Sequence, residues 1–448
     1  MERENGAYDW RQEQNHAHHD RPWTHALAQL AVHIEVYRRV LRSLRFMTFA
    51  RRMGFKNHHR LDEVNRMYHP APENTLDSLV HGMDLFDAIE FDVRLTKDNH
   101  VIIHHDRRVS IDPNVRQGKS PYVEDWELNE LLELGFCSLE MLLEHPRIQQ
   151  AVQEEGKGMV VESKRPSYKV KRSGGWFAKN KHDAHMGATM KCAEALLDQY
   201  EVPQQSTVHY AFHKSMSDAT RLGEIQRNWS TLLPTIRPFA GRKTHRVLAF
   251  PEFLTTSFAR LMRKHQRNAS PMMPCAIEYL ASPTNRIPLG KTVGLRGKPL
   301  ERLTKIRQGF PVYLWPVSAK IEHAVLNAGL SALTDSSDPN MTWLPSGHAR
   351  WTQPATLPLD EKQSMELKNA TKEEHLSVLK SLKNEVTPWR ECDVSRKREL
   401  LTYWRQRWQW KNSVEDLLAF EETNGSMPWQ IVRMIGHRGA GKTKRPVL

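Results

Sequence analysis

The stretch "AIEFDV", residues 88–93, sets Glu90 and Asp92 two positions apart. On an extended strand that spacing points both carboxylates to one face. Two like charges in one space repel unless a proton or a cation intervenes, so the pair suggests a divalent-metal site. The alternate positions Ile89, Phe91 and Val93 are apolar, as expected where helices cover the other side of the strand. A second run, "HVIIHHD", ends in His104, His105 and Asp106, and a histidine directly after a barrel strand would lie at the catalytic end of that fold. A third, "GMVVESKRP", puts Glu162 and Lys164 on one face, an anion able to complete a metal site beside a cation able to meet a phosphate oxygen. The alternatives are an exposed strand face, a structural histidine and a surface ion pair of small energetic weight.

A fourth candidate, "GHRGAGKT" at 436–443, can be read in two ways. As G-x-x-x-x-G-K-[ST] after the apolar run Ile431–Ile435 it fits a phosphate-binding P-loop. That motif needs a following helix whose N-terminus faces the phosphates, and the five residues after Thr443 include Pro446. As strand and then His437-Arg438-Gly439, it fits the opening motif of a quite different phosphate enzyme.

These residues need elements to position them. Between 69 and 340, short apolar runs alternate with helical stretches, the signature of β/α units around a parallel sheet. Apparent strands are "DAIEFDV", "HVIIHH", "GMVVESK", "STVHYAF", "GFPVYLW" and "LSALTD", and the region has the length of a (β/α)8 barrel. Residues 1–20 are polar and read as disordered, and 21–68 as a basic helical extension in which Leu30, Ile34, Tyr37, Leu41 and Leu44 oppose Arg38, Arg39, Arg42 and Arg45. That helix either packs on the main domain with a solvated basic face or lies on anionic lipid. Residues 341–430 read as a Pro-rich linker and a helical segment, in which Trp404 and Trp408 share a face beside Arg405 and Arg407. Buried tryptophans explain this better than a nucleic-acid or bilayer surface.

The 448 residues allow one large domain with additions, and a formal charge of +13 favours acidic partners such as phosphate esters or anionic lipid. Cys137, Cys192, Cys275 and Cys392 lack metal-type spacing and read as free thiols of a reducing compartment. No secretory signal or spanning helix is visible, so the expectation is a cytoplasmic protein, soluble or peripheral to a membrane.

Taken in order, Glu73-Asn74-Thr75, Glu90-Phe91-Asp92, His105-Asp106, Glu162-Ser163-Lys164, Trp315-Pro316-Val317 and Thr334-Asp335 resemble the pattern of the glycerophosphodiester phosphodiesterase family. The resemblance covers about residues 69–340 and implies a (β/α)8 TIM barrel of the α/β class. It also implies metal-dependent hydrolysis of a glycerophosphodiester to sn-glycerol 3-phosphate and an alcohol. Carried over to matching positions, Glu90, Asp92 and Glu162 hold Mg2+ or Ca2+ with Glu73 close by. His105 and His437 act as acid and base, and Arg438 and Lys164 hold phosphate. The chain departs from the pattern at its opening. The family's HRG should stand shortly before ENT, where this sequence has only "NHHRLDEV" with Leu61 in place of the glycine. The missing element stands at 431–448, as if the domain were circularly permuted, and a truncated second copy or a misassembled chain are the alternatives. The partner expected is a small phosphodiester, with contact to an anionic membrane as an option and no nucleic acid. Two other functions stay open: a barrel that binds phosphodiesters or lipid headgroups without turnover, and a lysophospholipase D.

Overall fold

A computed structural model describes residue 68 and residues 70–109, 118–175, 178–213, 215–231, 257–281 and 293–443. The polar N-terminus and the basic helix expected within 21–68 lie outside the described residues, as does the His59-Arg60 pair. The strands are β1 (Ala88–Leu95), β2 (Val101–Ile103), β3 (Cys137–Ser138), β4 (Gly158–Ser163), β5 (Thr207–Tyr210) and β6 (Asn228–Trp229), then β7 (Met273–Ala276), β8 (Val312–Val317), β9 (Ser331–Thr334), β10 (Trp343–Leu344), β11 (His348–Ala349) and β12 (Met434–His437). Eight of them run parallel in the order β6-β5-β4-β1-β12-β9-β8-β7.

The sheet curls into a (β/α)8 barrel, and the side chains report the curl. Ala88, Val160, Val208, Tyr210, Met272, Tyr313, Leu333 and Ile435, drawn from opposite ends of the strand order, pack in one buried cluster. A flat sheet could not bring them together. The alternate residues face outward: Ile89, Phe91, Val93, Met159 and Val161 pack against helices in one cluster, Val312, Leu314 and Ala332 in another. Each of the larger of these side chains contributes about 1.5–3 kcal/mol by leaving water. Between β6 and β7 no ladder forms among the described residues, and Ser230 Oγ donates to the Met272 carbonyl at 3.0 Å beside that opening.

Three expectations are corrected. "HVIIHH" is not a barrel strand: β2 pairs antiparallel with the outer half of β1, joined by a turn in which Asn99 takes φ 65°. Two barrel strands escaped the reading, β6 and β7, being short and, in β7, interrupted by Pro274. The strand expected over 431–438 spans Met434–His437, while Ile431 and Val432 belong to the core of the helical extension.

That extension contains a small hairpin, β10 with β11, and four helices at Glu361–Asn369, His375–Glu385, Val394–Trp408 and Val414–Asn424. The long helical stretch expected at its end is broken by Gln409 at φ 52° and restarted by a Ser413 capping box. Trp389, Trp404, Trp408 and Trp410 are buried in its core. One carboxylate ties it to the barrel: Asp87 accepts from Ala355 N and Thr356 N at 3.2 and 2.8 Å, from Thr356 Oγ1 at 2.8 Å and from Met434 N at 2.9 Å. It fixes the start of β12 beside the start of β1. No described helix is long and apolar enough to cross a membrane.

Candidate active site

On β1, Ala88, Glu90 and Asp92 alternate inward, and the carboxylates occupy the end of the strand where the barrel mouth opens. The parallel register Asp92↔Glu162 brings Glu162 of β4 alongside. Ligand oxygens of Glu90, Asp92 and Glu162 all lie within 4.8 Å of one another, with relative exposures of 0%, 0% and 5%. The donor set fits a hard divalent cation such as Mg2+ or Ca2+. Buried Oδ1 of Asp92 makes no aligned hydrogen bond, although Lys164 Nζ lies 2.7 Å away and also contacts Glu162. That ammonium stands against two of the carboxylates, where positive charge is wanted.

β12 closes the arrangement from the other side. It lies between β1 and β9 with registers Glu90↔His437 and Gly436↔Thr334. His437 Nδ1 meets Asp335 Oδ1 at 2.6 Å, which leaves Nε2 on the side of Glu90, 3.8 Å from its Oε2. Arg438 donates its backbone N–H to Glu90 Oε2 at 3.0 Å, while its guanidinium meets Glu73 Oε1 at 2.6 Å and Asp92 Oδ2 at 3.0 Å. Arg438 holds φ 54°, uncommon for a side-chain-bearing residue and of the kind retained at functional sites. The glycines here serve close packing: a Cβ on Gly439 would collide with the Ser78 carbonyl, and one on Gly441 with that of Asp335. No helix follows among residues 439–443, so the P-loop reading lacks its helix dipole within the described residues.

His105 reaches the mouth by a different route from the one expected. The antiparallel return of β2 brings His104 N to the Asp92 carbonyl at 2.9 Å, so the chain turns back to the carboxylate level before His105. The His105 carbonyl accepts from Arg94 Nη2 at 2.9 Å, and its Nδ1 meets Asp106 Oδ1 at 3.0 Å. His104 turns away, its ring edge-on to Phe136 at 4.9 Å. Trp315 of β8 stands 6.0 Å from the His437 ring.

The electrostatics follow from crowding three acids out of water. Burial, then the Asp92 charge, raises Glu90 above its ordinary value. Burial likewise pushes Glu162 up to about 7. Burial would also raise Asp92, but Lys164 and then Arg438 outweigh it and hold that carboxyl well below the usual range. Asp335 is held at about 2, because His437 overcomes the effect of burial, so it stays ionised and keeps the imidazole oriented. His105 titrates well below the ordinary histidine value through burial and the adjacent Lys164.

The residues singled out from sequence therefore meet at one mouth: Glu90, Asp92, Glu162, Lys164, His105, His437 and Arg438, with Glu73 reaching it through Arg438. Glu73 also accepts from Thr443 N at 3.1 Å, so the segments at 73 and 443 are direct neighbours. Two participants escaped the sequence reading. Tyr210 Oη donates to Glu90 Oε1 at 2.5 Å, and Asn74 Nδ2 donates to Asp92 Oδ2 at 2.9 Å. Tyr210 was signalled by its place two residues after Val208 on an inward face; Asn74 was quoted in its motif without a role.

Residues 65–206 match the model of the glycerophosphoryl diester phosphodiesterase family. A glycerophosphodiester phosphodiesterase of Caldanaerobacter subterraneus subsp. tengcongensis is 39% identical over 77 residues, which is 17% of this chain and 28% of the relative. The chain thus spans little more than a quarter of that relative's length. Similar solved structures include a glycerophosphodiester phosphodiesterase of Thermotoga maritima, 14% identical with a TM-score of 0.34 over 57% of this chain and 84% of that one. Another is an Oleispira antarctica phosphodiesterase in complex with its product sn-glycerol-3-phosphate, 16% identical with a TM-score of 0.36 over 59% of this chain and 87% of that one.

Proposed function

We propose that this chain is a member of the glycerophosphoryl diester phosphodiesterase family and hydrolyses glycerophosphodiesters to sn-glycerol 3-phosphate and an alcohol. The observation that carries the reading is the register Glu90↔His437, which adds a histidine and an arginine to a mouth already lined by three carboxylates, a lysine and His105. A divalent cation held by Glu90, Asp92 and Glu162 would supply Lewis-acid polarisation of a phosphoryl oxygen.

The chain's own groups do the rest. His437 and His105 each have Nδ1 against a carboxylate, Asp335 and Asp106, which fixes the tautomer and leaves Nε2 for the substrate. One accepts the proton of the attacking hydroxyl, from water or from the substrate's own glycerol, and the other protonates the departing alkoxide. Lys164 turns from Asp92 and Glu162 toward a phosphate oxygen as a point charge. Arg438, pinned between Glu73 and Asp92, keeps Glu90 in place through its backbone N–H and presents positive charge to the other oxygens. In this reading β12 supplies the family's opening element from a displaced position in the chain, as circular permutation would.

The test is hydrolysis of glycerophosphocholine by the whole chain, with Mg2+ or Ca2+ added and then removed by chelation. Metal-dependent release of sn-glycerol 3-phosphate that falls to background in His105→Ala supports the enzyme. No product above that control leaves a barrel that only binds phosphodiesters or lipid headgroups. Turnover confined to lysophospholipids would reassign the substrate and keep the residues.

A further inference from the structure

We propose that the cavity between the helix Ala319–Asn327 and the helical extension binds a single-chain anionic amphiphile, with a carboxylate or phosphate-monoester head and an aliphatic tail. This site is separate from the barrel mouth and does not depend on the hydrolytic reading. The cavity has a volume of about 630 Å³, within the range of small-molecule sites. Its apolar lining includes Leu326, Leu344, Trp351, Leu359, Trp404 and Trp408, a surface suited to an alkyl chain.

The charges along the cavity are unbalanced. Glu322 is neutralised by Arg350, which grips both its oxygens at 2.8 and 2.9 Å, so Glu361 is the remaining acid in the lining. Against it stand Lys368 and Arg407, both exposed. Arg407 meets only neutral oxygens, Tyr403 Oη at 2.7 Å and Asn327 Oδ1 at 2.6 Å. Lys368 makes no hydrogen bond or ion pair among the described residues. The two cations act on one spot: beside them the His323 and His348 rings stack at 3.6 Å, and Nδ1 of His348 is buried with no hydrogen-bond partner. Burial lowers His323 most, and His348, Arg407, Lys368 and Arg296 add to it, to about 4; the two cations of the lining therefore both act at these rings, where a negative ligand group would meet them.

The ligand's orientation follows. The tail lies on the tryptophan and leucine surface, and the head meets Lys368 and Arg407, where a charge-assisted hydrogen bond replaces water. Met365, 45% exposed on the helix that carries Lys368, is a large apolar group left at the opening for the chain to cover. A cationic head would face the same two cations and be repelled, and a neutral head would leave them unused.

The experiment titrates the full chain at pH 7.5 with decanoate, decanol and decyltrimethylammonium by calorimetry. A parallel titration uses decyl phosphate with sn-glycerol 3-phosphate saturating the barrel mouth. Decanoate or decyl phosphate should bind at one equivalent, and either alone supports the site and identifies its head. Lys368→Glu and Met365→Trp, both at exposed positions, should each weaken that binding about tenfold or more, the loss of roughly one charge-assisted contact or of tail space. Glycerophosphocholine turnover should be unchanged in both variants. Decanol or decyltrimethylammonium binding as tightly as decanoate, both variants retaining wild-type affinity, or no uptake of either anion would overturn the proposal.

Discussion

The two sides of the barrel that meet at β12 are built differently. On the side of β1, β4 and β5, the inward positions nearest the mouth are Glu90, Asp92, Glu162, Lys164 and Tyr210, nearly all ionisable. On the side of β8 and β9, they are Tyr313, Trp315 and Leu333, with Asp335 alone just past its strand. The first side would be unstable without opposite charge, since burial drives Glu90 and Glu162 toward neutrality. The second side packs without help. β12 reconciles them, because His437 leans on Asp335 of one side and Arg438 on Glu90, Asp92 and Glu73 of the other. An inserted strand can thus complete a charge balance as well as a ladder.

The most severe way to break this arrangement is to delete residues 430–448. Two barrel strands would then face each other with unpaired edges and buried acids would lose Arg438, so both the melting transition and turnover should collapse. A deletion that leaves a cooperative melt and full activity would refute the role of β12. Next in size is His437→Ala, which keeps the strand and removes the imidazole. Turnover of glycerophosphocholine should drop about 10²- to 10⁴-fold with little change in melting temperature, whereas a deep loss of stability would make His437 structural.

A pH titration of stability comes third and separates the sides by their histidines. Burial lowers His185 and His209, near β4 and β5, to about 3, and His265, beside β7, to about 4. Below the unfolded value of 6.5 the unfolded chain takes up protons that these folded histidines refuse. The contribution of these histidines is therefore fully present above about 6.5 and declines as pH falls toward 3 or 4, whereas Glu162, raised to about 7, works in the opposite sense over the same range. At pH 5 each histidine accounts for at most about 2 kcal/mol, one and a half units at about 1.36 kcal/mol each. Denaturant midpoints at pH 7.5 and pH 5 check this by comparison with His209→Gln, which should lose less stability than the wild type on going to pH 5; an equal loss in the two chains would contradict it. Smallest is a pair of hydroxyl deletions. Tyr210→Phe removes the donor to buried Glu90 and should cost about 1–3 kcal/mol of stability and some turnover. Tyr313→Phe, whose hydroxyl makes no aligned hydrogen bond, should be nearly silent. Equal effects from the two would erase the contrast between the sides.

How much of this was legible in the sequence depends on the range over which each signal acts. Glu90 with Asp92, and Glu162 with Lys164, are local: a period of two fixes their common face whatever the rest of the fold does. The motif at 437–439 was also legible, and its place beside β1 was implied by the resemblance, whose motif order sets it before the segment at 73–75. What escaped depended on distant partners. β2 read as a barrel strand because "HVIIHH" has the composition of one, and only pairing with β1 gives it an antiparallel direction. β6, of two residues, and β7, of four with Pro274 among them, are too short to signal a strand without their neighbours. Asp87 stood unremarked at the start of "DAIEFDV", because its four donors come from segments more than 260 positions away.

The placement of β12 also sets an order of events during synthesis. β1 can pair with β4 soon after both leave the ribosome, and β8 can pair with β9, because those partners are near in sequence. The edges of β1 and β9 that face β12 must wait until Met434 has been made, a hundred residues after Thr334. During that interval a nascent chain carries two adhesive strand edges and an acidic pair without its arginine, the condition in which chaperone capture or misassembly competes with folding. The helical extension emerges within the same interval, and its Ala355 and Thr356 can reach Asp87 before Met434 can, so three of the four hydrogen bonds of the clamp that receives the last strand can be made in advance.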